Sequence, residues 1–133
     1  MTLEENKSLY RHYVKLMAQP DHLDEVVDKD FIAHDLPPGF PKGIEGIRAW
    51  RRAVMAAFPD QTSEIQELIA EGDKISARLL LKGTHKGDFG GMKATGRKIQ
   101  VMVFEIVRIE NGKVAERWGL LDRASLMQQL GGE

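Results

Sequence analysis

Two carboxylates in the last third of the chain stand where apolar strands ought to exclude them. Glu105 lies between Phe104 and Ile106 in "VMVFEIVRI", and Asp122 closes "NGKVAERWGLLD", residues 111 to 122. A carboxylate held among apolar side chains is driven towards its neutral form, which lets it take and return a proton near neutral pH. Glu116, Trp118 and Asp122 recur at even spacing, which on a regular strand aims all three at one side of the sheet. Two histidines could place a hydrogen-bond donor beside such a base: His34 in "FIAHD" and His85 in "GTHKG". This set suits general acid–base chemistry. It does not suit a metal centre, because His12, His22, His34 and His85 make neither an H-x-H nor an H-E-x-x-H spacing.

Asn111-Gly112 between two apolar runs predicts a two-residue type I′ hairpin loop. Glu110 then pairs with Lys113, and the expected register sets Trp118 opposite Glu105, Leu120 opposite Val103 and Asp122 opposite Val101. One face would carry Val103, Glu105, Trp118 and Asp122 together. Neither face of this hairpin alternates into polarity, so one is expected to meet helices and the other a second subunit. Glu105 and Asp122, four positions apart along the hairpin, would be separated by about 13 Å. That is too far for two carboxylates acting on one bond.

Simpler roles compete with the chemical ones. Asp122 directly precedes a helical segment, "RASLMQQLG", and Asp is a common N-cap. Ser125 with Gln128 forms a rival capping box. Glu116 near the turn is expected to be solvated, and Trp118 is more often core than ligand platform. His85, in a polar loop flanked by glycines, is expected to be a structural or exposed residue. His34 is the better candidate of the two histidines.

The elements that must position these residues follow from periodicity. Thr2 and Glu5 make a capping box for a first helix with Leu9, Tyr13, Leu16 and Met17 on one face, stopped by Pro20. A second short helix is expected from Asp21 through "DHLDEVVD", then a loop over "DFIAHDLPPGFPKG". A third helix covers "IEGIRAWRRAVMAAFPD", with Arg48, Arg51 and Arg52 expected on its solvent side. Strands are expected around 64–71, 74–82, 97–110 and 113–121. Helices first and a meandering sheet second predict the α+β class, in one domain spanning 1–133.

Composition narrows the function classes. The 133 residues carry a net charge of -1 and 42% hydrophobic residues, which leaves no electrostatic footprint for nucleic acid. The absence of cysteine excludes disulfides, thiolate metal sites and a cysteine nucleophile. The opening "MTLEENKSLY" has no apolar core of a signal peptide, and no apolar stretch is long enough to span a bilayer. A cytoplasmic location is expected.

"GTHKGDFGGMKATGRKI" followed by "FEIVRIENGKVAERWGLLD", with "FIAHD", "KGIEGIRAW" and "AAFPD" in order before them, resembles the SnoaL-like polyketide cyclase (ester cyclase) family of the nuclear transport factor 2-like superfamily. The resemblance implies a cone-shaped α+β barrel, with helices packed in a curved mixed or antiparallel sheet around a deep apolar pocket. It implies an intramolecular aldol ring closure on a polyketide ester, without cofactor or metal, and a homodimer or homotetramer formed through the sheet. It places the acid/base on Asp122. His34 would be its hydrogen-bonding partner, and Trp118, Glu105, Tyr13, His85, Trp50 and Val103 would contact the substrate. Two other readings stay open. An isomerase or hydrolase of the same superfamily would use a tyrosine or an arginine–aspartate pair beside the base. Tyr10 and Tyr13 on the first helix and Asp35 are in view, with only Tyr13 on the apolar face, and the Asp–Arg–Asp set that an epoxide hydrolase would need is not evident. A non-catalytic binding module would pair Glu105 and Asp122 with Arg97, Arg117 or Arg123, whereas a catalytic Asp122 would project free of arginine into an enclosed cavity.

Overall fold

The computed structural model describes residues 1–131. Helix α1, Leu3–Leu16, starts as its capping box requires: the Glu5 amide donates to Thr2 Oγ1 at 3.0 Å and the Thr2 amide donates to Glu5 Oε1 at 2.8 Å. It buries Tyr10, Tyr13 and Leu16, so both tyrosines face the core and not Tyr13 alone. After Pro20 the chain makes only a short 3₁₀ helix, Pro20–Glu25. The expected helix stops there because the chain turns into a strand that buries Val27 and Phe31 in the main core. That strand, β1 (Val27–Ala33), occupies much of what the sequence marked as loop.

Helix α2, Ile44–Ala57, follows Gly43 and buries Ile44, Ile47, Val54 and Ala57. Four antiparallel strands complete the sheet: β2 Thr62–Glu71, β3 Lys74–Thr84, β4 Lys98–Glu110 and β5 Lys113–Leu121. A last helix, α3, spans Arg123–Gln129. The sheet order is β1-β5-β4-β3-β2, with β1 parallel to β5. The sheet is therefore mixed and open, with β1 and β2 as edges, and does not close into a barrel. Helices cover one face. The main core joins Tyr10, Tyr13, Phe31 and Ile47 to Ile75, Val103, Val107 and Val114; a second cluster holds Val54, Phe58, Val101 and Leu126, and Trp50 packs against both.

The last hairpin turns where expected but slips one residue beyond it. Asn111 and Gly112 both have positive φ, 51° and 74°, and Glu110 pairs with Lys113. Ile109 pairs with Val114, but Arg108 then pairs with Glu116, so Ala115 is an extra residue in a β-bulge. From there every partner differs from the regular register: Trp118 lies opposite Ile106, Gly119 opposite Glu105, Leu120 opposite Phe104 and Leu121 opposite Val103. A one-residue slip exchanges faces. Arg117, Gly119 and Leu121 join the helix-covered face with Val103 and Glu105, while Glu116, Trp118 and Leu120 share the open face with Phe104 and Ile106.

Candidate functional site

On the helix-covered face the bulge brings Arg117 beside Glu105, and the site grows from that pair. Glu105 is 5% exposed in a strand whose inward neighbours are Val103 and Val107. The Tyr10 hydroxyl, reaching in from α1, donates to Glu105 Oε1. Arg117 Nε lies 3.1 Å from Glu105 Oε2, and Arg117 Nη2 lies 3.0 Å from Asp35 Oδ2. Tyr13, one helical turn after Tyr10, packs ring to ring with it at 5.6 Å. The result is a continuous chain from tyrosine to carboxylate to guanidinium to carboxylate, inside an otherwise apolar core.

The electrostatics follow from burial. Burial, with Glu105 close by, pushes the Tyr10 phenol far above its ordinary value, so it stays protonated and donates. Burial also raises Tyr13, with Arg117 offsetting part of the effect. Burial alone would weaken the charge on Arg117; Glu105, Tyr13 and Asp35 outweigh it and hold the guanidinium charged. Arg51, expected on the solvent side, is instead buried on α2: its Nε donates to the Met17 carbonyl at 2.9 Å and it bonds Gln61. Burial and the nearby Arg117 push it down to about 10.

Three buried polar atoms in this cluster lack a hydrogen bond of good geometry among the described residues: Tyr13 Oη, Asp35 Oδ1 and Arg117 Nε itself, although Tyr13 lies within hydrogen-bonding reach of the Arg117 guanidinium. Unmet capacity of this kind costs folding free energy and marks places where a ligand or water oxygen would be held. Asp35 and Arg117 keep 18% and 14% side-chain exposure, so the polar chain reaches the surface along that edge.

The sequence candidates divide between the two faces. Glu105, Tyr13, Val103, Trp50 and His85 lie on or beneath the helix-covered side, where Tyr13 and Glu105 meet directly through Arg117. His85 is fully buried against Phe58, with Nδ1 accepting the Thr95 amide at 3.2 Å, so it is internal and not loop-exposed. His34 points the other way: it stacks on Trp118 at 5.1 Å and its Nε2 lies 2.6 Å from Glu116. Asp122 is exposed and caps α3, its Oδ1 accepting the Ser125 amide at 3.1 Å; the rival box from Ser125 and Gln128 does not form. Asp122 thus projects into no enclosed cavity.

Three members of the cluster enter the sequence reading only through its alternatives: Arg117 as an ion-pair partner of Glu105 in the binding module, and Tyr10 and Asp35 in the isomerase or hydrolase. Tyr10 was set aside for falling outside the strict apolar stripe. Arg117 was assigned to the opposite face by an unbroken register. Asp35 sat in a presumed loop; with β1 recognised, alternation from Phe31 through Ala33 carries Asp35 inward and His34 outward. The expected deep apolar pocket is filled at this position by the tyrosines and their neighbours. Two hollows lie elsewhere. One, of about 750 Å³, runs between α1 and β2 past Arg11, Val14, Lys15 and Ile65; another, of about 300 Å³, lies near Asn6 and Asn111.

Comparison with known proteins agrees with this architecture. Nogalonic acid methyl ester cyclase from Streptomyces nogalater is 27% identical over 86% of this chain and 87% of its own length. Aklanonic acid methyl ester cyclase DauD from Streptomyces sp. (strain C5) is 32% identical over 77% of this chain and 68% of its own. Among solved structures, TsrD from Streptomyces laurentii superimposes with a TM-score of 0.92 at 30% identity, covering 100% of this chain and 99% of that one. IdmH from Streptomyces antibioticus does so with a TM-score of 0.82 at 26% identity, covering 95% and 98%. The family model for the SnoaL-like polyketide cyclase matches residues 7–130, and the chain belongs to that family.

Proposed function

We propose that this protein is a cofactor-independent cyclase that closes a ring by intramolecular aldol chemistry on a polyketide ester, with its acid/base machinery in the buried cluster. The observation that carries the reading is the Tyr10–Glu105–Arg117–Asp35 chain, with the Tyr13 hydroxyl against Arg117, in a chain of this family. Asp35 Oδ1, a free acceptor, takes the proton that lies alpha to, or on the enol of, a substrate carbonyl. The enolate oxygen then rests against the Tyr13 hydroxyl and the Arg117 charge, donors already in place before charge develops. The enolate carbon attacks the second carbonyl, and the proton goes to the new alkoxide. Glu105 and Tyr10 hold Arg117 in position.

Asp122 is the competing base, as the family resemblance suggests. Nogalonic acid methyl ester and aklanonic acid methyl ester, the compounds named for the two relatives, are the first substrates to assay. If ring closure is seen, Asp35→Asn should lower kcat at least ~100-fold, the usual scale for removing one general base, while Asp122→Asn should leave it within about twofold. The reverse ranking would move the chemistry to Asp122.

A second reading is favoured by one geometric fact. Asp35, Arg117 and Glu105 form an acid–Arg–acid set, with glutamate in place of one aspartate of the Asp–Arg–Asp set that an epoxide hydrolase of this superfamily would need; in it Asp35 Oδ1 would orient water. Hydration of an epoxide substrate without any ring closure would favour it.

The open face supports a homodimer. Ile32, Phe104, Ile106, Trp118 and Leu120 are exposed on the adjoining strands β1, β5 and β4, Leu120 at 75% and Phe104 at 58%. A contiguous apolar patch of this kind marks an interaction surface. Its rim carries both signs of charge in Arg108, Glu110 and Glu116, which suits a second copy related by a two-fold axis.

A further inference from the structure

The hollow of about 750 Å³ between α1 and β2 shares no lining residue with the buried cluster, and its two walls differ in chemistry. One wall is a single face of α1, where Arg11, Val14 and Lys15 follow one another at i, i+3 and i+4. The ion pairs of α1 among the described residues join Lys7 to Glu4 and His12 to Glu25, and leave Arg11 and Lys15 unmatched. The other wall is β2, an edge of the sheet. Ile65 pairs with Leu79 but Glu67 pairs with Arg78, so Gln66 is the extra residue of a bulge. The bulge shifts the phase of the strand, so Ser63 and Ile65 before it and Leu68 after it all turn inward, each half-buried. Val14, Ile65 and Leu68 make an apolar floor continuous with the main core. Glu67, the acid in this lining, is paired with Arg78 at 3.4 Å.

Ser63 is set as a donor by a chain of hydrogen bonds that starts in the core. Arg51 is 9% exposed and can only donate. Its Nε bonds the Met17 carbonyl at the end of α1, and its Nη2 donates to Gln61 Oε1. That fixes the orientation of the Gln61 amide, whose Nε2 must then donate to Ser63 Oγ, 3.2 Å away. Ser63 accepts on the Gln61 side, which leaves its own proton for an acceptor in the hollow that it lines.

Two cations and an oriented hydroxyl beside an apolar floor fit a ligand with an anionic head and an apolar body. An added β-strand does not fit, because the bulge at Gln66 interrupts the ladder it would need and Glu64 and Glu67 flank that bulge with charge. We propose that the α1–β2 hollow is a second binding site, for a small amphipathic carboxylate. Arg11, Lys15 and Ser63 Oγ hold its head, and its chain lies along Val14, Ile65 and Leu68. The volume is within the ordinary range for small-molecule sites. The proposal is independent of the cyclase reading, and no bond is made or broken on binding.

The test is a titration of the full chain with three probes. Octanoate carries both features, octan-1-ol keeps the apolar body without the charge, and acetate keeps the charge without the body. Amide shifts at Arg11, Val14, Lys15, Ser63 and Ile65 in ¹H–¹⁵N spectra are the readout. Saturable octanoate binding with a Kd below about 1 mM is expected, with at least ~tenfold weaker binding of the other two. Added salt should weaken octanoate binding, because it screens exposed cations. Replacing both cations, Arg11→Gln with Lys15→Gln, should cost at least ~tenfold. Ser63→Ala should cost at least ~threefold, the scale of one hydrogen bond to a charged group in a partly solvated site. Arg11 and Lys15 are exposed, so the double variant carries the test if Ser63→Ala fails to fold. Equal affinity for octanoate and either of the other probes would overturn the proposal. So would the absence of saturable binding, shifts centred on Phe104, Trp118 and Leu120 instead, or parent affinity in the folded double variant.

Discussion

The two faces of the β4–β5 hairpin reverse the usual relation between burial and polarity. On the helix-covered face, Glu105 and Arg117 are enclosed with Asp35 and two tyrosines. On the open face, Phe104, Ile106, Trp118 and Leu120 remain uncovered. A sheet built only for stability would place these sets the other way round, because an enclosed ion pair seldom repays its desolvation and an exposed apolar patch invites association. The inner set is where the proposed chemistry would sit, and the outer set is where the proposed second copy would dock. One bulged residue, Ala115, decides which side chains belong to which.

The largest effect should come from breaking the inner face at its centre. Arg117→Met removes the charge shared by Glu105 and Asp35 and leaves Glu105 enclosed without a counter-ion. Loss of one partner from an enclosed pair costs about 3–5 kcal/mol, to be read from urea unfolding. If Arg117→Met unfolds within 1 kcal/mol of the parent (roughly the scale of an exposed ion pair), the inner cluster is solvated and its claim to a special environment fails.

The outer face answers to a different measurement. Leu120→Lys puts a charge in the middle of the apolar patch without touching any buried group. Sedimentation should show a dimer converted to a monomer, while stability of the monomer changes by no more than ~0.5 kcal/mol, as for other exposed positions. A parent chain that already sediments as a monomer would remove the outer half of the comparison.

The ease of reading each face from sequence differed for physical reasons. Local signals were strong: Thr2 with Glu5 marked the first helix, Asn111-Gly112 marked the hairpin, and β5 was bounded correctly at Lys113 and Leu121. The family was legible too, since its motifs lie in order along most of the chain. What failed was long-range. A bulge has no dependable composition, and here it falls at an alanine; one unseen residue moved Arg117 inward and Trp118 outward. β1 was missed because its parallel partner, β5, lies some eighty residues away, and Asp35 was lost with it. Asp122 was legible both as base and as helix cap, and the sequence alone had no means of ranking those roles.

The outer rim supplies a finer probe. Hydrogen bonds from His34 and then Arg108 hold the Glu116 carboxyl below its ordinary value of 4.5. A carboxylate whose pKa is depressed by folding contributes stability that is present above the unfolded value and is lost as pH falls through the folded one. The stability curve of the parent should therefore bend downward from about pH 4.5 towards acid, and Glu116→Gln should flatten part of that bend while leaving the alkaline side unchanged. Because Glu116 is on the open face, the effect should be small and should shrink further in high salt. Dimer formation sharpens the expectation. If the second copy covers His34 and Glu116, salt will screen the pair less, and the Glu116→Gln difference will persist in the parent sequence but fade in the Leu120→Lys background. A difference of equal size and equal salt sensitivity in both backgrounds would place this rim in water, outside the interface.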